Sequence, residues 1–363
     1  INQQILFEEL KAGISPFDPE NMINFGAGAL VGTLVPGAAR LNIDSKNALT
    51  SGIGSGSSGG WFASELKFAG YDNVIIQGKS REPVYLWIED DNVALKSAGE
   101  IWGKSTIVTE EMIKQDLGEN DIQILCVGPA GENKVRPACI IVSGSRAVGR
   151  CGLGAIMGSK NLKAIAVKGT KGIGIKNPDE FLSLVGDVSK RLKRLEGAKA
   201  RKNFGTLVAS PLYNDLSALA YKNYEDDHIP QESFEKISHE VFHNMYEVDT
   251  YACSACPTAC GHVYAINQGP YSGTKCLKAE ANAVWNFGGK VALDDASAIL
   301  KAQEECCQLG LDIDNTSSVI AWAIDCFQNG IISKQNTDGL QLNWGNHETV
   351  LELIKKIAYR EGF

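Results

Sequence analysis

Residues 146–169 read RAVGRCGLGAIMGSKNLKAIAVKG. Two arginines and several glycines run into a short apolar helix pattern and then into an apolar strand pattern. On the N-terminal side of this stretch the chain is mostly strand-like. The runs MINFGAGALVG (22–32), NVIIQGKS (73–80), PVYLWIED (83–90), NVALKSA (92–98), IQILCVG (122–128) and PACIIVSG (137–144) alternate or stay apolar over strand lengths. Two helix patterns interrupt them, INQQILFEELKAG at 1–13 and STIVTEEMIKQDLG at 105–118, the second with Ser105 or Thr109 as its cap. An Asp90-Asp91-Asn92 turn predicts a hairpin between the third and fourth runs. On the C-terminal side, from about residue 173, the character changes. PDEFLSLVGDVSKRLKRLEGAKARKN (178–203), VALDDASAILKAQEECCQLGL (291–311) and SSVIAWAIDCFQNGIIS (317–333) are amphipathic or capped helix patterns. The fold class is therefore α+β, with a β-rich domain over residues 1–172 and a mostly helical domain over 173–363.

The chain has 363 residues, 44% of them hydrophobic, which is ordinary globular composition and enough for two or three domains. A net charge of −8 argues against nucleic acid or an anionic membrane as the main partner. No apolar run reaches transmembrane length. The first residue is Ile, and the closing pattern HETVLELIKKIAYREGF is an amphipathic helix whose apolar face needs a receiver, so both ends read as truncated. Of ten cysteines, three cluster at 253–260 and two form the pair Cys306-Cys307, which suggests a reducing, cytoplasmic compartment. Cys126 and Cys139, inside strand patterns, read as small buried hydrophobes.

Three stretches carry chemistry. Residues 52–60, GIGSGSSGG, hold five glycines and three serines and precede the helix pattern WFASELKFAGYD. Backbone N–H groups freed of side chains can approach an anion closely, with the serine hydroxyls adding donors, so this stretch is a candidate anion contact. A flexible linker is the bland alternative. The second stretch is Arg146–Gly154, where guanidinium forks suit phosphate oxygens. As a dinucleotide fingerprint it is weak, because the region about 20 residues on, AVKGTKG, offers no acidic ribose partner. A structural arginine turn is the other alternative. The third is Cys253-Ser254-Ala255-Cys256-Pro257-Thr258-Ala259-Cys260, three thiols in the spacing Cys-x2-Cys-x3-Cys. Thiolates suit iron–sulfur clusters, zinc or copper(I), and this spacing suits a cubane corner better than a tetrahedral zinc site. No cysteine presents itself as a fourth ligand.

The strings GSGSSGGWFASELKFAGYD (54–72), GPAGEN (128–133), RAVGRCGLGAIMGSKNLKAIAVKG (146–169) and CSACPTACG (253–261) resemble, in order and across nearly the whole chain, the aldehyde:ferredoxin oxidoreductase family of tungsten (sometimes molybdenum) enzymes. That resemblance implies a β-rich first domain holding a bis-pterin metal cofactor, its phosphates bridged by Mg2+, with a 4Fe-4S cluster beside it and helical domains closing over it. It implies Arg40, Ser57, Ser58, Gly59, Gly60, Arg146, Ala147, Gly149 and Arg150 as first-domain cofactor contacts, and Leu311 and Asp312 as contacts from the helical part. Cys253, Cys256 and Cys260 match three cluster ligands. The fourth belongs to a third domain, which the resemblance implies is absent, as are a few dozen residues at the start. It further implies cytoplasmic location, electron transfer to ferredoxin or a ferredoxin-like subunit, an aldehyde substrate, and a homodimer.

Departures from the family pattern divide the readings. Ser57 stands where the family commonly has Asn, Cys307 stands for an acidic residue, and the Glu-x-x-His pair that holds an interfacial iron in some members is missing from ILKAQEECCQ. In TKCLKAEANAVW (274–285) Glu280 is retained, Asn282 replaces an acid, and Cys276 resembles the aryl-coenzyme A reductase branch, in which a cysteine can ligate tungsten. Three readings follow. The first is aldehyde oxidation to a carboxylic acid, with Glu280 and His228 as candidate acid/base groups; a lone loop histidine is more often just solvated. The second is reduction of an aromatic or enoyl-coenzyme A thioester, with Cys276 on the metal. The third is a non-catalytic iron–sulfur electron-transfer subunit.

Overall fold

The protein is described by a computed structural model covering all 363 residues. It contains two compact units. The first comprises residues 1–195 together with 252–257 and 307–312; the second comprises 196–251, 258–306 and 313–363. The first compact unit runs on to Leu195, past the 172 of the sequence reading, and two short segments from the helical half are built into it. Their long-range backbone pairing, described below, is the cause.

Two sheets make the first unit. One has four strands in the order β3-β2-β1-β4, with β1 at Ile23–Ala27, β2 at Leu41–Lys46, β3 at Ile53–Ser58 and β4 at Asn73–Ile76, all antiparallel. The other has six strands in the order β6-β5-β10-β7-β8-β9. They are β5 (Val84–Glu89), β6 (Asn92–Ser97), β7 (Gln123–Cys126), β8 (Ile140–Val142), β9 (Arg146–Val148) and β10 (Leu162–Lys168). The predicted hairpin is β5–β6, paired Glu89 with Asn92. Only β10 and β5 run parallel, and β10 is buried along almost its whole length, as its unbroken apolar run requires. The helix Thr106–Leu117, capped by Ser105 accepting from Val108 N–H, covers one face through Ile113 against Tyr85, Ile124, Cys126, Ala164 and Ala166. Burial raises the Cys126 thiol pKa, consistent with a packing role.

The Gly/Ser stretch is not the loop expected from its composition. It forms β3, an edge strand with residues alternately exposed and buried, and only Gly59–Trp61 turn before the helix Phe62–Phe68. Glycine has low strand propensity, so tertiary pairing with β2 decides here. Gly56 faces Val148 of β9, where a Cβ would come within 2.6 Å of the valine methyl.

Below the six-stranded sheet, Glu132 of GPAGEN and Lys163 of β10 form an ion pair with side chains 4% and 0% exposed. Burial raises the Glu132 pKa, and the lysine opposes it. Lys163 also donates to the Lys104 carbonyl, and Glu132 accepts from Gly103 N–H.

The second unit is mostly helical, with a three-stranded antiparallel sheet β11-β12-β13 at Glu247–Tyr251, Gly261–Ala265 and Lys275–Cys276. Its long helices are Ala296–Leu309, which runs on into the first unit's 307–312 segment, Ile313–Gln328 and His347–Tyr359. The last buries Val350, Leu353, Ile354 and Ala358, so earlier helices do receive its apolar face. No helix is long and apolar enough to cross a membrane.

Breaking the Lys163–Glu132 pair is expected to strand a buried carboxylate. Lys163→Met should cost about 3–5 kcal/mol, and Lys163→Met with Glu132→Leu considerably less. Denaturant unfolding of the two variants checks this.

Candidate functional site

The site in the first unit starts from β9. Arg146 opens this strand with its side chain 7% exposed, and its carbonyl accepts from Ser58 Oγ at 3.5 Å. Gly60 lies on its stem: a Cβ there would be 3.3 Å from Arg146 Cδ. A Cβ on Gly59 would be 2.9 Å from Cys253 Sγ and 3.5 Å from Arg146 Nη1. The Gly/Ser turn, the β9 arginine and the first cysteine of the Cys-x2-Cys-x3-Cys loop therefore meet at one glycine. Backbone bonds fix the encounter, since Ser254 N–H donates to the Gly60 carbonyl (3.2 Å), Gly37 N–H to the Ala255 carbonyl (3.4 Å) and Trp61 Nε1–H to the Ala252 carbonyl (3.0 Å).

A second convergence involves the segment 307–312. Cys139 N–H donates to the Gly310 carbonyl (2.8 Å), Asp312 N–H to the Pro137 carbonyl (3.0 Å), and Ala138 bridges Leu311. Gly128 has no room for a side chain, because a Cβ would lie 2.4 Å from the Leu309 carbonyl. The result sets Asp312 against the arginine motif: a Cβ on Gly149 would come within 2.9 Å of Asp312 Oδ1. Leu311 and Asp312 are buried, whereas Ser57, Ala147 and Arg150 are exposed on the outward positions of β3 and around β9. Arg40 is exposed just before β2, whose first pair is Leu41 with Ser58.

The loop ahead of Arg146 is held by Glu110, which accepts from Gly144 N–H at 2.6 Å. Burial pushes this carboxyl up to about 7 from an ordinary 4.5, against the opposing pull of the Gly144 hydrogen bond. Sequence reading missed Glu110, although a charged residue on the inward side of the Thr106–Leu117 helix was the available signal.

The second unit holds the rest. Cys260 immediately precedes β12, and Cys276 is 2% exposed on β13 opposite Tyr264. Glu280 immediately precedes the short helix Ala281–Ala283, and its side chain pairs with Lys278, whose side chain is 12% exposed. A π-helical turn follows at Val284–Lys290, anchored by buried Asn286, which donates to Asp314 (2.7 Å) and accepts from Ser317 (2.9 Å). His228 sits on the surface with Nδ1 2.8 Å from Asp227. Nothing given by the fold joins it to Glu280.

Two features here went unread in the sequence. Lys278 stands between Cys276 and Glu280, two residues from each. His239-Glu240-Val241-Phe242-His243 has the H-E-x-x-H spelling of zinc peptidases. Phe204 lies edge-on to both histidine rings, at 4.9 and 5.1 Å, and so occupies the space such an ion would need. No three His, Cys, Asp or Glu side chains anywhere converge as ligands of a single ion.

The donor set fits a large anionic cofactor beside a thiolate-bound cluster. A buried guanidinium, two glycines with no room for a Cβ and a cysteine sulfur line one place, and a cubane spreads its thiolates farther apart than the ligands of one ion. Comparison with known proteins agrees. Residues 1–169 match the family described as aldehyde ferredoxin oxidoreductase, N-terminal domain, and residues 183–363 match aldehyde ferredoxin oxidoreductase, domains 2 and 3. The chain is 37% identical over 362 residues to the tungsten-containing aldehyde ferredoxin oxidoreductase of Pyrococcus furiosus, covering 99% of this chain and 59% of that protein. It is 29% identical over 375 residues to the WOR-like subunit of an aliphatic sulfonate oxidoreductase of the same organism, with the same coverage. Among solved structures it superposes on a chain of the active site complex BamBC of benzoyl coenzyme A reductase with 1,5-dienoyl-CoA, with a TM-score of 0.87 and 29% identity over 99% of this chain and 55% of that one. The chain thus spans somewhat over half the length of the relatives it matches.

Two outcomes follow. Gly59→Ala should cause a several-fold loss of iron and pterin per chain while leaving the apo protein's Tm within a few degrees, read by metal analysis and calorimetry. Because the native Glu110 holds its proton more tightly than the unfolded chain does, its contribution to stability is full below about pH 4.5 and is lost as pH rises through about 7. Glu110→Gln should remove that decline from a plot of Tm against pH.

Proposed function

The chain belongs to the aldehyde ferredoxin oxidoreductase family, and we propose that it is the cofactor-binding part of a tungsten (or molybdenum) oxidoreductase that oxidises an aldehyde to a carboxylic acid. The observation that carries this reading is the meeting of Gly59, Arg146 and Cys253 at one point of the first unit. Arg146, Arg40 and Arg150 would hold pterin phosphates, with Mg2+ as an accompanying ion; Ser57, Ser58, Gly59, Gly60, Ala147 and Gly149 would clear or line the approach, and Leu311 and Asp312 would close it. Cys253, Cys256 and Cys260 would hold three corners of a 4Fe-4S cluster. When bound, these groups supply a two-electron oxidation with oxygen drawn from water, and single-electron transfer onward.

The chain's own residues supply position and proton handling. Arginine forks fix phosphate oxygens in two-point contacts, which orient the cofactor as well as bind it. Glu280 is the proton acceptor. Lys278 beside it holds the carboxylate in one place and balances its charge. His228 is the weaker candidate, since its imidazole is exposed and engaged by Asp227. The partner is a ferredoxin or a ferredoxin-like subunit, and a homodimer is the expected assembly. The clustering of thiols at 253–260 supports a reducing compartment, which we take to be the cytoplasm.

A second reading is favoured by Cys276. This buried thiol and the superposition on the benzoyl coenzyme A reductase complex support a coenzyme A thioester reductase in which Cys276 ligates the metal.

The test is elemental analysis of the complete protein purified without oxygen, combined with aldehyde-dependent dye reduction by wild type and Cys276→Ser. Tungsten or molybdenum with about four irons, and aldehyde activity that survives the substitution, is the expected result. Metal lost together with Cys276 favours the thioester reductase. Iron without tungsten or molybdenum overturns both in favour of an electron-transfer subunit.

A further inference from the structure

His262 lies two residues after Cys260, in β12, and is 1% exposed. Its Nδ1 is 3.0 Å from Glu247 Oε2 but off the line of a hydrogen bond, and its Nε2 has no hydrogen-bond partner. Glu247 is itself engaged by His243 Nδ1 at 2.7 Å. Leaving a buried polar nitrogen unsatisfied costs roughly 1–3 kcal/mol, so such an atom calls for a partner the protein does not supply. Gly205 shows which way the ring looks. A Cβ there would lie 3.0 Å from His262 Cδ2, 3.6 Å from its Nε2 and 3.3 Å from the Cys260 carbonyl. The Cδ2–Nε2 edge of the imidazole and the backbone of Cys260 therefore face the same glycine.

We propose that His262 is a positioning residue for the iron–sulfur site: its Nε2–H donates a hydrogen bond to a sulfur of the cluster held at Cys260, and Glu247 steadies the ring from the Nδ1 side. The inference rests on the cluster reading above. Sulfur of a cluster or its thiolates is a hydrogen-bond acceptor, and such bonds are among the factors that set cluster potential. A donor stabilises the more negative, reduced cluster and raises the potential. Glu247 lies on the Nδ1 side of the ring, which leaves Nε2 as the nitrogen on the edge that shares Gly205 with the Cys260 backbone.

The experiment is an EPR-monitored potentiometric titration of the complete protein purified without oxygen, comparing wild type, His262→Leu and His262→Gln, with iron per chain measured in each. Glutamine places an amide N–H close to the position of Nε2. The expected result is a lower midpoint potential in the leucine variant at unchanged iron content, restored toward wild type by glutamine. Pulsed EPR of reduced wild type labelled with 15N-histidine should show nitrogen coupled to the cluster, and that coupling should vanish in His262→Leu. An unchanged potential in the leucine variant, or no histidine coupling in wild type, overturns the inference. If the leucine variant fails to load iron, the labelled wild type decides alone. Wild type without any cluster signal overturns the cluster reading itself, a failure distinguishable from the first.

Discussion

Two backbone hydrogen bonds, Cys139 N–H to the Gly310 carbonyl and Asp312 N–H to the Pro137 carbonyl, fix where the site can form. They close a loop of well over a hundred residues, but the entropy of closure grows only with the logarithm of length, so the long excursion through the helical half is cheap to complete. Once closed, the 307–312 segment lies too near Gly128 for any side chain there and brings Asp312 against Gly149. The position of Gly149 and Arg150 relative to Leu311 and Asp312 follows from this stitch.

Around the stitch, glycine works by absence. Gly59 and Gly149 each stand where a methyl group would strike a functional atom, Cys253 Sγ in one case and Asp312 Oδ1 in the other. Side chains of opposite chemistry can then approach through backbone alone. The rigid part is the six-stranded sheet, with the Lys163–Glu132 pair buried beneath β10. A pair like this adds little net stability but makes each partner intolerant of losing the other.

Much of this was legible in the sequence. The apolar runs that became β5, β7, β8 and β10 kept their period, and Ser105 marked its helix start. The motifs also picked out Gly59, Arg146 and Cys253, which the fold brings together. What could not be read had physical causes. GIGSGSSGG looked like a loop because glycine weakens strands, yet β2 supplies the pairing that the local sequence lacks. Membership of 252–257 and 307–312 in the first unit depends on main-chain bonds to distant residues, and main-chain bonds leave no mark on residue type. His262 was passed over because its meaning comes from Glu247 on β11 and Gly205 in a separate turn, which no spacing along the chain connects.

The discontinuity of the first unit also orders its assembly in time. A ribosome releases Arg146 and Gly149 long before Cys253, and Cys253 well before Asp312. At roughly 5–20 residues per second, the interval between the last residue of the continuous part and Asp312 is on the order of ten seconds. During that interval both sheets can fold, while the face made by β3 and β9 lacks the two segments that finish it. The first unit is therefore completed in two stages, and Cys253 and Asp312, which meet Gly59 and Gly149, lie in the segments of it that are made last.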